Sequence, residues 1–152
     1  MATVQQMKDV LQGCLNAFTA GDWKRYRTYL TDKAIYEEEA SGLRAQGGDA
    51  IVKAIEPWKR AFPDIGVTIK EAIGSGDALV IEIEWAGTHL GPLAGPLGAI
   101  PPSKKFGKTP AVQVVRFDGE KIREIRHYFD MLSLLRQIGV APEIGAPASS
   151  HP

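Results

Sequence analysis

The chain has 152 residues, 44% of them apolar and 24% charged, and its 18 basic and 18 acidic side chains cancel. That length permits one domain burying roughly 70% of its unfolded surface, and neutrality leaves no electrostatic footprint for nucleic acid or an anionic membrane. The single cysteine, Cys14, excludes an internal disulfide framework and fits a reducing compartment.

The N-terminus is polar, without the apolar core of a signal segment. No run approaches the ~18 apolar residues of a membrane span, so a cytoplasmic chain is expected. Thr3 is placed to cap a first helix reaching about Ala20, because Met7, Val10, Leu11, Cys14, Leu15 and Phe18 recur at helical spacing. Gly21 ends it, and Asp22 caps a short second helix over 23–30 that carries Trp23, Tyr26 and Tyr29. Residues 34–38 read as a strand and 41–49 as loop, with Asp49 placed to cap a third helix. Ile51, Val52, Ile55 and Trp58 form that helix's apolar face, and Pro57 predicts a kink or break inside it. Strands follow over 66–73 and 78–89 around the turn Gly74-Ser75-Gly76-Asp77. Residues 90–107 are crowded with Gly and Pro, and a loop this long is usually functional, often a lid. A hairpin over 111–117 and 121–129, turning at Asp118-Gly119, leads into a short helix with Met131, Leu132, Leu134, Leu135 and Ile138 on one face. Helices first, then an antiparallel meander, then one terminal helix make an α+β domain over 1–140. The Pro/Ala/Ser-rich stretch 141–152 reads as a flexible tail. Apolar residues on both faces of the late strands predict a homodimer, since the second face needs cover.

The three histidines, His89, His127 and His151, are too scattered for a metal site, and neither a nucleophile elbow nor a phosphate-cradling glycine loop is present. Acid/base chemistry without metal or cofactor is what remains for an enzyme. Asp130, between the last strand and the last helix, either caps that helix or carries chemistry. His89 ends its strand beside Trp85 at the entrance to the long loop. It either polarises a carbonyl there or bonds loop backbone. By alternation Arg126 and Tyr128 share Asp130's face, from which either could orient a substrate oxygen. His127 falls on the opposite face, where a structural or interface role is expected. Gln113 is an amide in an otherwise apolar strand, placed to line a cavity. Trp23, Tyr26, Trp58 and Trp85 are an aromatic pocket wall or plain core. The run Glu37-Glu38-Glu39 reads as a solvated face, although Glu37, Glu38, Glu82 or Glu84 could supply the second carboxylate that epoxide opening requires.

Several segments together carry a resemblance: AFPD (61–64), GTHLG (87–91), Pro101-Pro102, the RFDGEKI hairpin and the ending YFDMLSLLRQIG (128–139). With them the chain resembles the SnoaL-like polyketide cyclases, the ester cyclase-like group of the nuclear transport factor 2-like superfamily. The resemblance implies an α+β cone, in which a strongly curved antiparallel sheet wraps a cavity closed by the N-terminal helices, with a short C-terminal helix. It implies an enzyme without metal or cofactor that closes a ring by intramolecular aldol condensation. The acid/base would be Asp130, with His89 as its companion and an apolar, carbonyl-containing small molecule as substrate. Arg126, Tyr128, Gln113, Trp85, Trp58 and Tyr26 would line the site. The family's usual Pro-Pro-Thr-Gly-Lys is here Pro101-Pro102-Ser103-Lys104-Lys105. Arg126 stands where an aromatic residue is frequent; pointing inward, it would favour an anionic or enolate-bearing ligand. An isomerase, a dehydratase, an epoxide hydrolase or a non-catalytic ligand-binding dimer would be built on the same fold.

Overall fold

The N-terminal helices form where the caps put them. In a computed structural model describing residues 1–95 and 98–140, α1 spans Val4–Ala20. Thr3 Oγ1 accepts the Gln6 N–H at 3.1 Å while Gln6 returns its amide oxygen to the Thr3 N–H at 2.9 Å. Such a cap contributes about 1 kcal/mol. Met7, Leu11, Cys14, Leu15 and Phe18 are buried along one stripe. Gly21, at φ 70°, closes the helix, and Asp22 caps α2 (Trp23–Thr28). The third helix, α3 (Gly48–Ala61), runs through Pro57 as one element. Its N-cap is Gly47, not Asp49. The Asp49 carboxylate sits in the first turn, where the helix dipole favours it, and accepts from Arg27 at 2.9 Å.

Among the described residues eight strands come in this order: β1 (Leu30–Glu38), β2 (Leu43–Gln46), β3 (Gly66–Ser75), β4 (Ala78–Thr88), β5 (Leu93–Gly95), β6 (Gly98–Ile100), β7 (Phe106–Asp118) and β8 (Lys121–Phe129), before α4 (Met131–Gln137). Six of them make one curved sheet in the order β2-β1-β8-β7-β4-β3. The sheet is mixed rather than wholly antiparallel, because β1 pairs in parallel with β8 while every other pairing in it is antiparallel. The first and last sheet strands thus meet across the length of the chain, a closure that a meander of sequence neighbours does not foreshadow. The stretch expected as loop contains β2, whose residues alternate between half-buried and exposed as on a sheet edge. The Gly/Pro segment is likewise ordered in part as the β5–β6 hairpin, and β7 begins at Phe106.

Inward positions alternate strictly: Leu79, Ile81 and Ile83 on β4, Ala111, Gln113, Val115 and Phe117 on β7, and Ile125 and His127 on β8. They meet the stripes of α1 and α3 in the main core. A second cluster joins Ala61 and Phe62 to Leu93, Leu134 and Ile138 beneath the hairpin and α4. Gln137 docks α4 on β7 by accepting from the Lys108 N–H and donating to its carbonyl, both at 2.6 Å. The stretch 141–152, with the expected tail and His151, lies outside the described residues. Among the described residues no helix is long and apolar enough to cross a membrane.

Candidate active site

The concave face of the sheet and the three N-terminal helices, with Leu134 of α4, line a half-open cavity of about 80 Å3. One water needs roughly 10–15 Å3 of such space, so the cavity has room for a small ring. Its wall is almost wholly apolar, with contributions from Leu11, Leu15, Phe18, Ile55, Phe62 and Phe129. Strand register decides where the polar exceptions fall. Glu38 on β1 lies opposite His127 on β8, which lies opposite Gln113 on β7, which lies opposite Ile81 on β4. Three polar side chains thus stand in one row across the sheet, all facing inward and all at least nine-tenths buried.

Two of them belong to a chain of hydrogen bonds. Trp85 Nε1 donates to His127 Nε2 at 3.1 Å, and His127 Nδ1 is 3.1 Å from the Tyr36 hydroxyl. That hydroxyl donates to Glu38 Oε2 at 2.9 Å. The Trp58 indole donates to the same oxygen at 3.0 Å, and the Ser41 hydroxyl donates to Glu38 Oε1 at 2.7 Å. An indole nitrogen only donates, so His127 Nε2 accepts and the proton of the neutral ring sits on Nδ1. From there it points to Tyr36. Burial lowers the His127 pKa to about 4, which keeps the imidazole neutral at physiological pH. Burial, and then the neighbouring Glu38 charge, raise that of Tyr36 well above the usual phenol value. Gln113 is the third member of the row, and its buried Oε1 has no hydrogen-bond partner among the described residues. An unpaired buried acceptor costs ~1–3 kcal/mol, and a ligand donor would remove that cost. Cys14 also reaches the cavity beside Tyr26; burial pushes its thiol up to about 12, so it is no nucleophile near neutral pH.

Residues 8–138 match the family described as SnoaL-like polyketide cyclase. The chain belongs to the SnoaL-like polyketide cyclase family. No sequence among curated proteins matches it. Solved structures share the fold at low identity. A candidate SnoaL-like polyketide cyclase from Jannaschia sp. CCS1 superposes with a TM-score of 0.80 at 20% identity, covering 91% of this chain and 94% of its own. AclR, a candidate hydroxylase from Streptomyces galilaeus, gives 0.78 at 20% identity, covering 93% and 90%. IdmH, a candidate polyketide cyclase from Streptomyces antibioticus, gives 0.75 at 21% identity, covering 89% and 99%.

The SnoaL-like motifs give the cavity Phe62, Gly87, Phe129 and Leu134, but the polar residues that drew attention in them lie outside its lining. Asp130 is exposed and caps α4, its Oδ1 accepting the Ser133 N–H at 3.0 Å. Arg126 and Tyr128 share its face of β8, but that face is the outer one: Tyr128 is exposed, and Arg126 lies 3.7 Å from Glu124. The cavity side of β8 carries Ile125, His127 and Phe129 instead. His89 is fully buried under the Gly/Pro segment with its ring against Phe62, outside the cavity lining. Its Nδ1 accepts the Ser103 N–H at 3.1 Å and lies 3.0 Å from the Ser103 hydroxyl. Gly91 packs so tightly on the Arg60 carbonyl that a Cβ would collide with it. Asp64 of the AFPD segment receives the Thr88 N–H and hydroxyl at 2.7 Å each, bonds that lower its pKa. These motif residues fasten the end of α3 and the long segment to β4.

Of the residues picked out in the sequence, Gln113, Trp85, Trp58 and Tyr26 line the cavity. Tyr36 and His127 went unmarked as site residues, and Glu38 entered only as one of four glutamates that could supply a second carboxylate. The alternation Ile125, His127, Phe129 was available to place His127 inward, as was the pair Tyr36 and Glu38 two residues apart on β1. Among the four glutamates considered as a second carboxylate, Glu38 alone is buried; Glu37 faces Arg44 and Glu84 faces Lys70.

Proposed function

We propose that this SnoaL-like protein is a small-molecule enzyme that removes a proton α to a carbonyl of an apolar substrate and uses the resulting enolate for ring closure of the aldol type. The observation that carries this reading is a neutral imidazole, His127, set in an apolar cavity and hydrogen-bonded through Tyr36 to a buried carboxyl group. The lone pair of Nε2 is the one that the Trp85 indole engages, and a substrate C–H competes with the indole for it. The apolar wall strengthens every charge interaction made inside it. Gln113, beside His127 in the row, would hold a substrate hydroxyl or, with its amide reversed, a carbonyl. Family membership supports the cyclase reading, as do the fold neighbours described as candidate cyclases and a candidate hydroxylase. An isomerase would use the same base. No metal or cofactor enters this chemistry.

Hydrogen–deuterium exchange tests the reading without the natural substrate. The wild type is expected to exchange the α-protons of a small cyclic ketone, such as cyclohexanone, in D2O faster than buffer does. His127→Gln should lose that activity. Full exchange in folded His127→Gln, or its loss in folded Asp130→Asn, would return the base to Asp130.

The outer face of the sheet carries Ile73, Val80 and Val114 in one register row, with Ile73 61% exposed. A second copy of the chain is the cover proposed for it. Sedimentation velocity at micromolar concentration should find a dimer that Ile73→Lys dissociates; a wild-type monomer refutes it.

A further inference from the structure

We propose that Gln113 selects the substrate by accepting a hydrogen bond from it, so that the substrate class is a small apolar molecule with a hydroxyl at one end, near the carbon that His127 deprotonates. The inference deepens the reading above and rests on it for the reaction, whereas the selection itself is a matter of binding.

The polar row runs out of donors before it reaches Gln113. The Trp85 indole N–H is committed to His127 Nε2, and the His127 Nδ1–H to the Tyr36 hydroxyl. Tyr36, Trp58 and Ser41 all donate to Glu38. None of these groups has a hydrogen left for Gln113, whose Oε1 is buried with no partner among the described residues. An orphaned acceptor destabilises the free protein, and a leucine of similar volume would fill the same place without one. Set among apolar neighbours, the amide gains a partner only when a ligand brings a donor.

The fold also says which end of the ligand that donor occupies. Along β7 the cavity lining runs from Gly107 through Thr109 to Gln113, while Val115 and Phe117, the next inward residues, belong to the core. Gln113 therefore stands at one end of the cavity, with the apolar wall extending away from it over Phe18, Trp58 and Phe129. A molecule that fits has a donor at its tip and an apolar body. Register sets Gln113 directly across from His127, about 5 Å away between α-carbons, so the tip that bonds the amide also brings its nearest carbons to the imidazole. The terminal torsion of a glutamine is soft, which lets Oε1 turn to meet the donor. A site built to bond a substrate hydroxyl rejects the analogue lacking it, because the acceptor is then left unpaired.

Pyrrole and furan isolate this selection. Both are five-membered rings of nearly the same shape; pyrrole offers an N–H donor and no acceptor, furan a weak acceptor and no donor. Titration of the wild type with each, followed by NMR shifts, should show pyrrole binding at least tenfold more tightly, a preference of about 1.4 kcal/mol. In Gln113→Leu that preference should vanish, with furan binding at least as well as it does to the wild type. Gln113→Met takes its place if the leucine variant does not fold. Equal affinities in the wild type, the result if a resident water already satisfies Oε1, overturn the proposal. So does a preference for pyrrole that survives in the folded variant, a preference for furan, or no shift with either ring. Failure of the underlying reading looks different. A wild type that prefers pyrrole but exchanges no cyclohexanone α-protons loses the base and keeps the donor-selecting site, and exchange without the preference does the reverse.

Discussion

His127 and His89 are both buried, and burial lowers the pKa of both. Their connections differ. Both nitrogens of His127 are engaged, one by an indole donor and one by a phenol that leads to a carboxyl group. His89 has one nitrogen tied to Ser103, while the other is buried with no partner among the described residues. Its own backbone is also bonded to both neighbouring lysines, donating to the Lys105 carbonyl and accepting from the Lys104 N–H. One ring joins a cavity to a proton acceptor; the other holds a segment of chain in place. A buried histidine is thus defined less by its burial than by where its second nitrogen leads.

The largest expected effect breaks this contrast at the cavity. A positioned acid/base supplies ~10²–10⁴-fold in rate, and His127→Gln should lose an amount of that order in the ketone exchange assay, while His89→Gln should lose less than tenfold. Next in size is a stability effect. The His127 value of about 4 in the folded chain lies below the 6.5 of an exposed imidazole, so between those pH values the unfolded chain holds a proton that the native one does not. Stability from this group is complete above about pH 6.5 and is lost as pH falls through 4, roughly 3 kcal/mol in all. Urea unfolding at pH 7 and pH 4.5 should show the wild type losing more than His127→Gln. Equal losses would place the imidazole in contact with water.

His89 sharpens the other side. His89→Ala removes the acceptor of the Ser103 N–H and the ring that packs on Phe62. It should cost about 1–3 kcal/mol and speed proteolysis within 90–105, with exchange by the cavity base retained. A stable variant with its activity abolished would instead place His89 in the chemistry.

Much of this architecture was legible because it rests on local rules. The Thr3 cap, the α1 stripe and the inward set Leu79, Ile81 and Ile83 follow from spacing alone. What escaped depends on pairings distant in sequence. The parallel contact of β1 with β8 brings Glu38 beside His127, and no periodicity within either strand announces it. Without that contact Glu38 is one of three acids in a row and reads as solvated. The choice of face on β8 was available locally, since Ile125 and Phe129 bracket His127. Motif resemblance pointed to Asp130 on the other face, and resemblance carries no information about which way a side chain turns.

Asp130 is where the smallest and most discriminating effect is expected. Its carboxylate accepts the Ser133 N–H at 3.0 Å and α4 is only seven residues long, so the cap matters to whether that helix forms. Asp130→Ala should cost about 1 kcal/mol. Asp130→Asn should cost almost nothing, since an asparagine oxygen accepts the same bond. Both variants should keep their exchange activity, because the cavity base lies on the opposite face of β8. The asparagine variant carries the weight of the test: it preserves the cap while removing the ability to take a proton. A fully stable Asp130→Asn protein without activity would mean that α4 swings this carboxylate into the cavity during turnover. The hydrogen bond to Ser133 would then be a resting position, and the contrast between the two faces of β8 would hold only before substrate arrives.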